Sequence, residues 1–480
     1  MMVEMVAFRL ATIYFGASLF VWANIIGLIM IALSLGYYSG GRLADLYPQK
    51  KILMWLVFAA GLTMSFLPIV NTLTSPYFVK NSLFGSIIVS SFVFVAILFT
   101  VPVWLLGMVS PYVIRLKNQE LETTGYTSGS IYAFSTVGSI FGTFFASFLS
   151  IPIFGIKETI LISAFCLILI SLIGLIPDFK KIFCLVLLFP IVVNFTPEVK
   201  RQGLIYEKES FYGLIQVIED EKLGYILDIN QTGRWSVYHP DEVLTNLYFD
   251  YFSPLYFLLN KRDNLDILII GLAGGVVSRQ YFYFFGEKKL KIDGVELDPY
   301  VSEAAYKFFN LSEQKGLSVI NADGRTYLQN TQKKYDLIFI DAYVGALYIP
   351  YQLSTKEFFE LTNSHLKPGG ILAMMVTGKS RKEDVIRCLT QTIKSVYPYS
   401  FFFPSGSRHE FIVVGSKDQL NDKFLNLVEK TETEELKKIS FDISQNFQEI
   451  QPDKSGKKCL LVDNLAPIEL LSEMDRIFRW

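Results

Sequence analysis

Between Leu265 and Asp341 the chain repeats one pattern four times: an apolar run closed by a Gly-rich turn or an acid. The first run, Leu265–Ile270, ends in Gly271-Leu272-Ala273-Gly274-Gly275. Glycines at such a turn let the backbone approach a ligand closely, and the helix that follows offers N–H groups to partial negative charge. An ordinary tight strand-to-helix turn would read the same way. The second run ends in Glu296, 25 residues after Gly271. A carboxylate there can accept both hydroxyls of a ribose. The third ends in Asp323-Gly324, an acid that can take an adenine amino group, cap the next helix, or do both. The fourth, YDLIFID, ends in Asp341 and runs into a loop rich in Tyr and Gly. Together and in this order they describe a nucleoside site with an acid beside it, which none of them does alone.

Such a site needs a doubly wound α/β sheet, whose strands present ligands at their carboxyl ends. The α/β rhythm occupies 261–480. Ahead of it, Tyr206–Val237 alternates in short runs and predicts a small antiparallel β unit, and Glu242–Leu259 reads as an aromatic helix. Together these fill 203–260.

The first 196 residues are of a different kind. Half of the 480-residue chain is apolar (51%) and mean hydropathy is +0.36, with the apolar excess placed before about residue 196. The runs Leu10–Tyr37, Ile52–Leu73, Phe84–Met108, Ser128–Phe154 and Glu158–Pro177 each reach the roughly 20 apolar residues a spanning helix needs. The expected fold class is therefore a multi-span helical membrane bundle followed by an α/β domain. The shorter run Ile182–Phe195 is expected to lie along the interface. Arg42, Lys50 and Lys51, then Arg115 and Lys117, then Lys180 and Lys181 fall in odd-numbered loops. Positive loops stay inside, so five spans put the following domain in the cytoplasm, on a multi-pass protein of the cell membrane. Gly138, Gly142 and Ala146 form a small-residue row that suits helix packing within the bundle.

Composition narrows the partners. Lys plus Arg is 44 against Asp plus Glu 45, which gives no electrostatic case for nucleic acid. Three histidines and four scattered cysteines without a CxxC suggest no metal site, no disulfide framework and a reducing compartment.

The stretch Glu207–Gly415 resembles the spermidine synthase family, the polyamine aminopropyltransferases. ESFYGLIQVIED and YILDINQ resemble its β unit, IGLAGGVV its Gly-rich turn, VELDP its ribose acid, NADGRTYL its adenine segment and IDAYVG its catalytic loop. LKPGGILAM and PSGSRHEFIVVGS resemble its later strands. GGRLADLYP, SPYVIRL and LVDNLAPIELL resemble the membrane-fused branch of that family. The resemblance implies a Rossmann-like, methyltransferase-type sheet and a transferase of polyamine or spermidine biosynthesis. Its co-substrate would be S-adenosylmethionine or decarboxylated S-adenosylmethionine, with no metal. It implies Asp341 as the catalytic acid, and Gly271, Gly274, Gly275, Glu296, Asp323 and Gly324 as nucleoside contacts. Gln231 and Tyr248 match positions near the amine pocket. The acceptor would be a small-molecule amine or a membrane-borne group, and a homo-oligomer is expected of some relatives. Several family positions differ: the acid of the turn is Ala273, the second acid of the catalytic loop is Val344, and Gly213, Phe249 and Phe403 replace polar or aromatic hydroxyl partners. These changes make the acceptor side look apolar. They keep two other readings open: transfer of methyl or cleavage of the sulfonium on an apolar substrate, and a membrane protein that only senses a nucleoside.

Overall fold

In the computed structural model the described residues are 1–16, 18–80, 87–117, 124–175, 201–260, 263–343, 349–378, 383–406, 409–453 and 459–477. They form two compact units, Met1–Arg201 and Gln202–Trp480. The run 182–195, Lys180, Lys181 and Val344 lie outside the described residues.

The first unit is helical: α1 (Met2–Phe15), α2 (Leu19–Leu46), α3 (Lys50–Lys80), α4 (Ile87–Lys117), α5 (Thr124–Phe144), α6 (Ile151–Phe154) and α7 (Ile156–Gly174). A π-helical turn, Phe145–Ser150, joins α5 to α6. Among the described residues, five helical stretches are long and apolar enough to cross a membrane: Leu19–Leu46, Lys50–Ser75, Ile87–Lys117, Thr124–Phe154 and Ile156–Gly174. The first begins later than the expected Leu10. Gly16 adopts φ +75° and ends α1, and the Ser18 hydroxyl accepts the Val21 N–H to start α2 afresh. α2 and α4 approach closely: a Cβ on Gly36 would lie 2.4 Å from the Trp104 carbonyl oxygen and 2.9 Å from the Gly107 Cα. In the small-residue row, Gly138 has nothing within 4 Å, a Cβ on Gly142 would meet Met2 of α1 at 3.7 Å, and Ala146 is buried. The loop motifs GGRLADLYP and SPYVIRL meet: Arg115 Nε donates to Asp45 Oδ1 at 2.8 Å, and the Tyr112 hydroxyl donates to the Tyr47 carbonyl.

The second unit begins with the four-stranded antiparallel sheet β1 (Leu204–Glu209), β2 (Leu214–Asp220), β3 (Gly224–Ile229) and β4 (Ser236–Tyr238) in sequence order. Ile215, Val217 and Leu227 of this sheet share a core with Val301, Ala304 and Phe309, so it is seated on the helix Pro299–Phe308. The larger sheet holds β5 (Leu265–Ile270), β6 (Leu290–Glu296), β7 (Leu317–Asn321), β8 (Tyr335–Ile340), β9 (Leu366–Thr377), β10 (Tyr399–Pro404), β11 (Glu410–Ser416) and β12 (Gln448–Glu449). Their order is β12-β10-β11-β9-β8-β5-β6-β7. β5 to β9 run parallel, while β11, β10 and β12 return antiparallel. β8 is buried along its whole length, as a central strand covered on both faces must be, which is why it reads as an unbroken apolar run.

Two expectations need correction here. Glu242–Leu259 is not an α-helix. Asn246 sits at φ +57°, and a 3-10 helix covers only Tyr248–Leu258, with Pro254 inside it. The Asp250 carboxylate draws in the chain before it, accepting from Thr245 N (3.0 Å), Asn246 N (2.7 Å) and Gln280 Nε2 (2.6 Å). Local side-chain acceptors of this kind compete with helical backbone bonding. Second, Cys388 and Cys459 are joined as a disulfide although 71 residues apart. The helix Asp384–Val396 carries Cys388, and the chain after β12 crosses that helix, with Leu461 N donating to Thr392 Oγ1 at 3.0 Å. Spacing in the sequence holds no trace of this crossing.

Candidate active site

The site forms where the sheet order reverses, between β5 and β8, at the carboxyl ends of the strands. Asp341 N donates to Ile270 O at 2.9 Å across that junction. Gly271 follows β5 with φ +88°, and a Cβ there would lie 2.2 Å from the Asp341 carbonyl oxygen. Only glycine fits this approach. Gly271 N and Leu272 N both donate to Val295 O, at 2.9 and 3.2 Å, which pins the turn to β6. Gly274 N donates to Ser236 Oγ at 2.8 Å, bringing the small sheet against the turn. Gly275 caps the helix Val276–Phe285 in the left-handed region, φ +72°.

Glu296, at the tip of β6, holds the other side of the turn. Its Oε2 accepts the Ala273 N–H at 2.9 Å, and its Oε1 accepts the Asp298 N–H at 3.2 Å. Burial raises its pKa above the ordinary value, while these two N–H donors pull the other way. A carboxylate oxygen accepts more than one hydrogen bond, so support of the turn leaves acceptor capacity toward a ligand. Asp323 follows β7 and caps the helix Gly324–Asn330, accepting from Thr326 N at 2.8 Å. The cap reading is thus observed directly. Gly324 packs against Ile270, where a Cβ would come within 2.4 Å of Cγ2.

Asp341 follows β8 directly at this junction. The Tyr248 hydroxyl donates to its Oδ2 at 2.9 Å. Burial lifts the Asp341 pKa to about 7. The Tyr248 bond lowers it, and the Glu410 charge raises it further. A carboxyl poised near neutrality can take a proton from a nucleophile at physiological pH. Tyr248 is itself buried and pushed well above its usual range. Its position comes from the 3-10 helix, which Phe252 anchors against Phe339 with ring centroids 5.1 Å apart. The Tyr343 hydroxyl accepts from Thr377 N at 2.9 Å and donates to Met375 O at 3.2 Å, tying the loop after β8 to the tip of β9.

These residues surround a cavity of about 190 Å³. The turn contributes Gly271, Leu272 and Ala273; the strand tips contribute Asp341, Tyr343, Thr377 and Glu410; Tyr248 closes one wall. Phe249, Phe252, Phe339 and Met375 supply apolar surface. The structure therefore brings Gly271, Tyr248 and Asp341 together. Glu296 lies one hydrogen bond behind Ala273. Gly274, Gly275, Asp323, Gly324 and Gln231 are not among the residues lining the cavity; Gln231, at φ +55°, only adjoins the lining residue Thr232. Glu410 was missed by the sequence reading. The signal was present: an acid that opens a strand running antiparallel to β9 must sit at the same sheet edge as Asp341.

Residues 256–420 match the family model described as a spermine/spermidine synthase domain. A probable polyamine aminopropyl transferase of Bifidobacterium longum is 31% identical over 289 residues, covering 56% of this chain and 62% of the relative. The polyamine aminopropyltransferase of Vibrio vulnificus is 27% identical, covering 60% of this chain and 98% of the relative. Polyamine aminopropyltransferase 2 of Aquifex aeolicus is 25% identical and covers 88% of this chain and 86% of the relative. The chain thus spans less than two thirds of the Bifidobacterium protein and most of the other two.

Proposed function

The second unit carries a spermine/spermidine synthase domain, and from that premise we propose that the protein is a membrane-anchored aminopropyltransferase. In the proposed reaction an amine nitrogen bonds to the aminopropyl carbon beside the sulfonium of decarboxylated S-adenosylmethionine. The carbon–sulfur bond breaks with its electron pair going to sulfur, methylthioadenosine leaves, and the amine proton passes to Asp341. Glu296 would hold the ribose, and the turn Gly271–Gly275 would bring its backbone to the nucleoside. Asp323 would serve the adenine through its outer oxygen while it caps its helix. The observation that carries this reading is the Tyr248–Asp341 pair at 2.9 Å, set in a cavity beside the Gly-rich turn. Holding the amine and the base in one frame supplies much of the rate such a transfer needs.

One observation favours a second reading. Ala273 lines the cavity where the family resemblance expects an acid for the donor's ammonium. A donor that keeps its carboxylate, intact S-adenosylmethionine, would suit that place, with methyl transfer or sulfonium cleavage as the outcome. Purified full-length protein incubated with each sulfonium and a panel of amines, with products identified by mass spectrometry, separates the two. Methylthioadenosine together with an aminopropylated amine is the expected result. S-adenosylhomocysteine, or methylthioadenosine without amine product, would refute aminopropyl transfer.

Five helices with the length and apolarity to span a membrane support the anchor. For sidedness, the basic loops support a cytoplasmic catalytic domain. The Cys388–Cys459 disulfide points the other way, because disulfides persist mainly in oxidising compartments. We give the charge bias more weight, since the sulfonium donor is made and consumed in the cytosol.

A further inference from the structure

We propose that Glu410 is the acceptor-selecting residue of this site, holding the distal ammonium of a diamine or longer polyamine while Asp341 and Tyr248 hold the nitrogen that reacts. This rests on the aminopropyl-transfer reading and adds to it the residue that recognises the acceptor.

Position is the first argument. Glu410 opens β11 and pairs with Thr377, the last residue of β9, and Gly378 N donates to His409 O at 2.8 Å just beyond. That register brings the Glu410 side chain to the carboxyl edge of the parallel strands, where it lines the same cavity as Asp341.

The chemistry of the walls is the second. Among the described lining residues, the charged ones are Asp341, Glu410 and Arg234, and Arg234 is exposed on the loop before β4. The hydroxyls of Tyr248, Tyr343 and Thr377 stand near the two acids, and Phe249, Phe252 and Met375 line the apolar surface. A lining that combines two carboxylates with aromatic and thioether surface complements a chain of methylenes with an ammonium at its end.

The third argument is electrostatic coupling. The Glu410 charge raises the pKa of Asp341, Tyr248 and Tyr343 alike. A nearby negative charge disfavours ionisation of Asp341, and a cation brought beside Asp341 relieves that cost. A neutral acceptor offers no such relief.

The test compares wild type with Glu410→Gln and Glu410→Asp, all full-length, with 1,4-diaminobutane and butylamine as probes. Wild type should prefer the diamine in kcat/KM by at least tenfold. Glu410→Gln should bring the ratio near one, through KM for the diamine more than through kcat, and Glu410→Asp should restore part of it. An unchanged ratio in Glu410→Gln overturns the proposal. A calorimetric titration of 1,4-diaminobutane in the presence of methylthioadenosine reads the same residue without turnover. Wild type should bind at least tenfold more tightly than Glu410→Gln, at equal melting temperature. Equal affinities, or no binding to wild type, also overturn it. If wild type binds the diamine but yields no aminopropylated product, the transfer reading fails while the assignment of Glu410 stands.

Discussion

Asp341→Asn should make the protein more stable and nearly inactive, and the size of both effects follows from one carboxyl. Burial raises the Asp341 pKa from 3.8 to about 7. At about 1.36 kcal/mol per unit, a shift of roughly three units means that ionising this group in the folded state costs about 4 kcal/mol. The side chain opens partly onto the cavity, so this is an upper figure. The sign follows from proton linkage. Below about pH 4 the carboxyl is protonated in both folded and unfolded chains and costs nothing. Between about pH 4 and pH 7 the unfolded chain ionises first, so stability falls as pH rises. Above pH 7 the full cost applies. Asparagine keeps the shape and an acceptor for the Tyr248 hydroxyl and cannot ionise. The Asn variant should therefore melt several degrees above wild type at pH 8, with the gap shrinking as pH falls toward 4. The same change removes the base, for which a loss of about 10²–10⁴-fold in turnover is typical, while methylthioadenosine binding survives. Thermal unfolding of detergent-solubilised full-length protein at pH 8, 6.5 and 5, beside product formation and a nucleoside titration, covers all three. A variant less stable than wild type at pH 8, or a gap that ignores pH, would refute the view that a strained carboxylate sits at this strand tip.

The other substitutions probe the neighbours of that acid. Tyr248→Phe removes the hydrogen bond that holds the Asp341 pKa down, so the rise of kcat/KM with pH should move from near 7 to higher pH; a profile that stays put would dissociate Tyr248 from the base. Glu296→Ala should weaken methylthioadenosine binding by a few kcal/mol, because two hydroxyls lose a charged acceptor. It should also loosen the turn at Ala273; calorimetry that returns wild-type affinity would remove the ribose assignment. A reporter fused after Trp480 should be active on the cytoplasmic side, and activity only on the exterior would instead side with the disulfide.

What the sequence disclosed, and what it hid, divides along a physical line. β5 was delimited at Leu265–Ile270 because a parallel strand buried on both faces leaves a continuous apolar signature bounded by turn residues. Gly271, Glu296, Asp323 and Asp341 were legible because each stands at or just past the end of a strand run, even that of the edge strand β7, so its place at the strand tip is a local property. Glu410 is the first residue of its strand instead of the last. Its place at the ligand edge depends on β11 running antiparallel to β9, a non-local pairing. The Gly36–Gly107 contact and the Cys388–Cys459 bond also depend on partners far away in the chain. The 3-10 helix at Tyr248–Leu258 was obscured by Asp250, whose carboxylate gathers Thr245, Asn246 and Gln280 and overrides the helical look of the segment.

On the proposed reading, the two substrates would be held by differently built parts of the fold. The nucleoside side is referenced to hydrogen bonds within adjacent parallel strands: Asp341 N to Ile270 O, Gly271 N to Val295 O, and Ala273 N to Glu296. A residue larger than glycine at 271 would strike the Asp341 carbonyl, so the turn and the base cannot shift independently. In-line attack needs the donor carbon and the base in one frame, and the sheet register provides it. The acceptor side is built instead from Tyr248 on a 3-10 helix, Tyr343 in a loop and Glu410 at the start of an antiparallel strand. Each reaches the cavity by its own route, from outside the turn between β5 and its helix. On the proposed reading, that asymmetry suits a chain in which Glu296, Asp323 and Asp341 match the family pattern while Val344, Phe249 and Phe403 depart from it, with Ala273 as a departure on the donor side. If Glu410 selects the acceptor, that selection can change while the nucleoside end stays as the strands impose it.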